Sequence, residues 1–149
     1  MDQVTTTGRH ASRTFDELQV GMEAAYTRTV TEPDIVAFAE LSGDKNPVHL
    51  DAEFAGRTMF KGRIAHGMLT AAYISTVFGM HLPGPGCIYV SQTLNFRGPV
   101  RIGDEILTTV RIVELFPGKR RARFECVCSV GGKAVLEGEA VLMVPARAA

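Results

Sequence analysis

The stretch AHGMLTAAYISTVFGM, Ala65 to Met80, constrains the fold more than any other part of the chain. No charged residue occurs from Gly67 to Met80, and the helix expected over 65–80 is small or apolar nearly all round. A helix of that composition has almost no face to give to water, so the remaining chain must enclose it. Four strand-like segments follow: CIYVSQTLNFRGPV, DEILTTVRIVELF, RRARFECVCSV and KAVLEGEAVLMV, joined by RIG, PGK and GG. Turns that short predict an antiparallel meander. One apolar helix and a curled meander of long strands predict an α+β domain in which a curved antiparallel sheet wraps a long central helix.

Upstream, GMEAAYTRTV predicts a first strand. In TEPDIVAFAELSG, Thr31 and Asp34 have near capping-box spacing, Pro33 falls in the first turn and Gly43 follows as a stop, which predicts a short helix. Asp51 is placed to cap a second short helix through AEFAG. With 149 residues and 46% hydrophobic side chains, the expectation is one domain over 15–149 behind a flexible tail over 1–14. Sixteen basic residues balance sixteen acidic ones, so the overall field favours neither nucleic acid nor an anionic membrane as partner. No apolar run approaches the ~20 residues of a membrane span, and the first residues lack the apolar core of a secretion signal. A cytoplasmic protein is expected.

The cysteines agree with that compartment. In RRARFECVCSV, Cys126 and Cys128 alternate with charged neighbours and should face the core as small apolar fillers. A metal or redox pair would need further ligands at workable spacing, which Cys87 alone does not supply. No metal ligand set is assigned.

The densest group of chemically capable residues is LSGDKNPVHLD, Leu41 to Asp51. Turn chemistry accounts for Asp44, Asn46 and Pro47, with His49 structural or on the surface. A functional reading is also open, because a loop stiffened by Asn46 and Pro47 can bring Asp44 and His49, five positions apart, to one water. Gly67 supplies the complement. It falls at the expected N-terminus of the apolar helix, where backbone N–H groups lack partners and a glycine admits close approach to the main chain. An acid/base pair beside an oxyanion site suits chemistry next to a carbonyl or thioester.

FAELSGDKNPVH, with Ala55 six residues after His49, followed by IAHGML, closely resembles the signature of the MaoC-like (R)-specific enoyl-CoA hydratases. The resemblance runs from about Asp16 to Val144. It implies a hot-dog fold, a homodimer, an acyl-CoA or acyl carrier protein thioester as substrate, and no metal or redox cofactor. It also implies that Asp44 and His49 are the catalytic pair, that the Gly67 amide meets the thioester oxygen, and that Asn46 braces the loop. The implied reaction is reversible syn addition of water to a trans-2-enoyl thioester of short to medium chain, giving the (R)-3-hydroxyacyl product. A 3-hydroxyacyl carrier-protein dehydratase is the alternative of related chemistry. A hot-dog thioesterase or a non-catalytic acyl-thioester-binding subunit would not call for an intact Asp44 and His49.

Around this centre, His66 is placed to orient the loop or cap the helix. Ser75 shares a helical face with Met68, Ala71 and Ala72; it either reaches the pocket or bonds back to a helix carbonyl. Further along, Phe78 is expected to close the acyl end of the tunnel. His81 and His10 call for no functional reading. The run Lys119, Arg120, Arg121 and Arg123 reads as a solvated outer face; Arg57, Lys61 and Arg63 compete with it for phosphates of coenzyme A or an acidic carrier.

Overall fold

The computed structural model describes residues 12–147. Most of the expected tail, with His10, lies outside the described residues; Arg13 is held by a 2.9 Å bond from its amide to the Pro83 carbonyl, and Thr14 caps a short turn over Phe15–Glu17. The elements in chain order are β1 (Glu23–Thr29), α1 (Glu32–Ser42), α2 (Pro47–Leu50), α3 (Ala52–Gly56), α4 (Gly67–Met80), β2 (Ile88–Gln92), β3 (Asn95–Phe96), β4 (Glu105–Phe116), β5 (Arg121–Val130) and β6 (Lys133–Met143). The strands form one antiparallel sheet in the order β1-β4-β5-β6-β2, and β3 pairs with β6 beyond β2.

The expected caps form where the sequence places them. The Thr31 side chain accepts from the Asp34 amide, the Asp34 carboxylate accepts from the Thr31 amide, and Gly43 ends α1 in the left-handed region at φ 80°. Asp51 accepts from the amides of Glu53 and Phe54 at the start of α3. The long helix begins two residues later than expected, at Gly67, with His66 as its N-cap.

Alternation sorts the strands. Ile106, Thr108, Val110 and Ile112 of β4, and Ala122, Phe124, Cys126 and Cys128 of β5, line the inner face against α4. Both cysteines are thus core fillers, as expected, and burial pushes the Cys126 thiol up to about 12. The outer face carries Arg111 on Glu125 at 2.7 Å and Arg123 on Glu114 and Glu139 at 3.1 and 2.9 Å, so Arg123 belongs to a solvated charge ladder. Exposed pairs of this kind contribute ~0–1 kcal/mol each, whereas burying one large apolar side chain contributes about 1.5–3 kcal/mol. The inner face therefore decides the fold.

Two expectations change. The segment CIYVSQTLNFRGPV is not one strand and does not form a hairpin with β4: β2 and β3 both lie on β6, and residues 97–104 cross to the far side of β5. The break falls at Thr93, whose amide donates to the Glu139 carbonyl and whose hydroxyl accepts from the Glu139 amide, so the chain folds down over Gly138. The helix α4 is also not enclosed all round. Ile74, Val77 and Phe78 are fully buried, but Met68, Ala72, Ser75 and Met80 form an exposed stripe. The sheet of one chain covers only one side of the helix.

The Thr93 crossing depends on Gly138, where an added Cβ would stand 1.9 Å from the Thr93 carbonyl oxygen, a main-chain atom that cannot swing aside. Gly138→Ala is expected to cost about 1–3 kcal/mol of stability, as overpacking does, read as a lowered urea midpoint at unchanged slope.

Candidate functional site

The polar loop is built outward from the end of α1. The Ser42 hydroxyl donates to the Phe38 carbonyl at 2.6 Å and accepts from the Asp44 amide at 3.1 Å. The Asn46 amide donates to Asp44 Oδ1 at 3.2 Å, while Asn46 Oδ1 accepts from the Val48 amide at 3.1 Å. Asn46 thus fixes one carboxylate oxygen of Asp44 and caps α2, the one-turn helix that presents His49. The sequence alone read this segment as a loop, because a four-residue helix is too short to show periodicity. Pro47 at its first position was the available signal.

Each histidine of the site has one ring nitrogen committed to a main-chain carbonyl. His49 Nδ1 lies 2.8 Å from the Ile64 oxygen, and His66 Nε2 lies 2.9 Å from the Asp44 oxygen. A carbonyl only accepts, so both of these nitrogens carry the proton. In the neutral rings, His49 Nε2 and His66 Nδ1 are therefore bare acceptors. The rings stack at a centroid distance of 3.8 Å, and Phe38 packs on the second at 4.8 Å. Burial holds the His49 imidazole below its ordinary value near 6.5, and neighbouring His66 adds to this; the Ile64 bond and the Asp44 carboxylate pull the other way. The neutral imidazole is the favoured form of His49.

Arg63, a sequence candidate for phosphate binding, is committed elsewhere. Its Nε donates to the His49 carbonyl at 2.6 Å, and its two terminal nitrogens grip Glu32 at 2.7 and 3.0 Å. It ties the catalytic candidate to the start of α1. Arg57 is exposed and lies 3.9 Å from Glu53. Lys61 lies in the segment at the cleft rim with φ 59°, beside Arg101, whose Nη2 donates to the Phe60 carbonyl.

A cleft of about 630 Å³ opens over this loop, lined by Asp44, His49, His66 and Gly67 together with Phe96 to Val100. Gly67 opens α4, so its amide is one of the unpaired N–H groups of a helix N-terminus. The ring of Phe96 lies against it: a Cβ at position 67 would meet Phe96 Cε1 at 2.6 Å and Cδ1 at 2.9 Å. His66 Nδ1 and Thr70 Oγ1, one turn apart, are buried without a partner among the described residues, and both residues border the cleft.

Asp44, Asn46, His49, His66 and Gly67 are thus gathered at the start of α4. Ser75 and Phe78 are not. Ser75 lies on the exposed stripe of α4, and Phe78 turns into the core with its ring 4.8 Å from Phe124 and 5.5 Å from Tyr89. The face that Phe78 occupies is set by the sheet, which helix register alone does not locate. Phe96 and Thr70 also border the cleft, brought there by contacts remote in sequence that no local pattern reports.

The ligand atoms of Asp44, His49 and His66 lie within 4.8 Å of one another. Two imidazoles stacked within 26° of parallel direct their lone pairs side by side, whereas ligands of one tetrahedral ion must converge on it. The arrangement suits a water held between a carboxylate and a neutral imidazole better than a metal ion.

Residues 15–136 match the family model described as MaoC like domain. A 3-hydroxybutyryl-CoA dehydratase of Methylorubrum extorquens is 53% identical over 133 residues, covering 89% of this chain and 85% of that protein. An (R)-specific enoyl-CoA hydratase of Rhodospirillum rubrum is 51% identical over 133 residues, covering 89% and 92%. Among solved structures, the unliganded R-hydratase PhaJ1 of Pseudomonas aeruginosa superposes with a TM-score of 0.85 at 47% identity, over 90% of this chain and 86% of that one.

The buried His49 ring should titrate by NMR with a midpoint below 6.5. Asp44→Asn should lower it further, because the carboxylate favours the imidazolium; a midpoint at or above the ordinary value would contradict the environment described here.

Proposed function

The chain belongs to the MaoC-like domain family and has its hot-dog fold, and on that premise we propose that it is an (R)-specific enoyl-CoA hydratase, a hydro-lyase. It adds water reversibly to trans-2-enoyl-CoA thioesters of short to medium chain, yielding (R)-3-hydroxyacyl-CoA. The single observation that carries this reading is the pairing of a neutral His49, its proton held on Nδ1 by Ile64, with Asp44 beside the Gly67 amide.

The thioester oxygen accepts from the Gly67 amide, which stabilises the enolate-like charge that develops when C3 is attacked. One water lies between Asp44, which accepts one of its hydrogens, and His49 Nε2, which accepts the other. As the oxygen attacks C3, His49 takes the proton and passes it to C2 on the same face, so that H and OH add syn and His49 returns to neutral. Asn46 and His66 hold Asp44 by its carboxylate and its carbonyl. No step calls for a metal or redox cofactor.

We place the enzyme in the cytoplasm, acting on fatty-acid or polyhydroxyalkanoate precursors; among the described residues no helix is long and apolar enough to cross a membrane. Coenzyme A is the proposed carrier because the relatives of 51–53% identity are named for CoA thioesters. A homodimer accounts for two apolar or uncharged surfaces left exposed among the described residues: the edge strand β2, with Ile88, Tyr89 and Val90 at 52%, 41% and 40% exposure, and the α4 stripe of Met68, Ala72 and Ser75. An apolar sheet edge left open is a template for pairing.

Crotonyl-CoA should be hydrated to the (R) product by chiral analysis; an (S) product would refute the reading. Asp44→Asn and His49→Ala are each expected to cut hydration at least ~100-fold with the circular dichroism spectrum unchanged, the lower end of what acid–base groups supply. Side-by-side rates on the acyl-carrier thioester test the carrier. Light scattering should give the mass of two chains, and Ile88→Lys on the β2 edge should shift it toward one.

A further inference from the structure

Phe96 is a large aromatic residue with 54% of its surface exposed, on a two-residue strand, with its ring against the first residue of α4. Exposure of a Phe normally reflects accident or an interface. This ring lines the cleft, and its atoms would overlap any Cβ at position 67, so glycine at 67 and Phe96 are sterically matched. The match fixes the ring within one carbon–carbon contact of the Gly67 main chain. A thioester carbonyl that accepts from the Gly67 amide lies next to this ring, and this brings C1 and C2 of the acyl group beside it.

Resting on the hydratase reading, we propose that Phe96 determines specificity at the α-carbon: it walls the face of the enoyl thioester opposite Asp44 and His49 and excludes substrates branched at C2. The chemistry makes that face restrictive. When a proton is added to C2 from the Asp44 and His49 side, C2 becomes tetrahedral and its remaining substituents fold toward the opposite face. With hydrogen at C2 the movement needs little room. A methyl group at C2 is driven into the ring, so the penalty grows toward the transition state and falls on turnover as well as binding. Ring atoms already in contact with the Gly67 main chain cannot retreat in that direction, and β3 is anchored through Asn95 to Glu137 and Phe96 to Leu136 on β6. One methyl group in an apolar pocket discriminates by roughly 10- to 200-fold.

The test compares kcat/KM for crotonyl-CoA and (E)-2-methyl-2-butenoyl-CoA in the wild type, Phe96→Leu and Phe96→Ala, following loss of the conjugated thioester absorbance. The lower intrinsic reactivity of the branched substrate cancels between variants, so the unbranched-to-branched ratio is the readout. That ratio is expected to fall at least ~10-fold in Phe96→Ala, with Phe96→Leu between it and the wild type. Melting temperatures identify folded variants; if Phe96→Ala does not fold, Phe96→Leu alone must lower the ratio at least ~3-fold, part of the same single-methyl discrimination. A ratio unchanged within twofold in a folded variant, or equal loss of both activities, would overturn the proposal and leave Phe96 as a prop for the Gly67 turn. A wild type inert on crotonyl-CoA would instead overturn the hydratase reading, a result distinct from either.

Discussion

The burial of α4 is the constraint from which the rest follows. A helix with no charge between Gly67 and Met80 is stable only under cover, and the inner faces of β4, β5 and β6 provide it through Ile106, Val110, Phe124 and Leu136. Once Ile74, Val77 and Phe78 are locked into that core, the N-terminus of the helix is fixed in space. The Gly67 amide and the His66 ring therefore stand at the start of a helix anchored in the core. The crossing from β3 to β4 passes Phe96 to Val100 over this end, and α2 brings His49 to it. The cleft lies where the wrapping stops.

Main-chain carbonyls, rather than charged partners, organise the chemistry. Ile64 sets the tautomer of His49, and Asp44 sets that of His66 through its own carbonyl while its carboxylate faces other work. A carboxylate in place of the Ile64 oxygen would favour the imidazolium and oppose the neutral form. The hydrogen bond from His66 to Asp44 also joins the polar loop to the helix start, which ties the proposed acid/base pair to the proposed oxyanion donor. Arg63 extends this linkage to Glu32 at the far end of α1.

Much of this was legible in the residues. Helix caps at Thr31 and Asp51, the stop at Gly43 and the inward cysteines obey local rules, and local rules suffice for them. The fold class followed from one uncharged helix and four strands. Less legible were features decided by distant partners. Strand β2 left the expected hairpin because Thr93 bonds to Glu139, a pairing separated by 46 positions, and no turn signal reports that. Helical periodicity placed Ser75 and Phe78 on a face but not which side the sheet would take, so neither lines the cleft. Arg63 reads as a phosphate ligand from its place beside the polar loop, whereas its fork is committed to Glu32, 31 positions away.

The buried thiols carry a consequence for a protein proposed to handle thioesters. An accessible thiolate near an activated acyl group exchanges with it, transferring the acyl chain to protein and releasing coenzyme A; near free coenzyme A it also forms mixed disulfides. Both reactions require the anion and a line of approach. Cys126 and Cys128 have neither, enclosed on the inner face of β5 with Cys126 raised to about 12. Cysteine on β5 can thus serve as packing material without becoming a competing acyl acceptor, and the wall of strands that covers the helix also shields these two thiols.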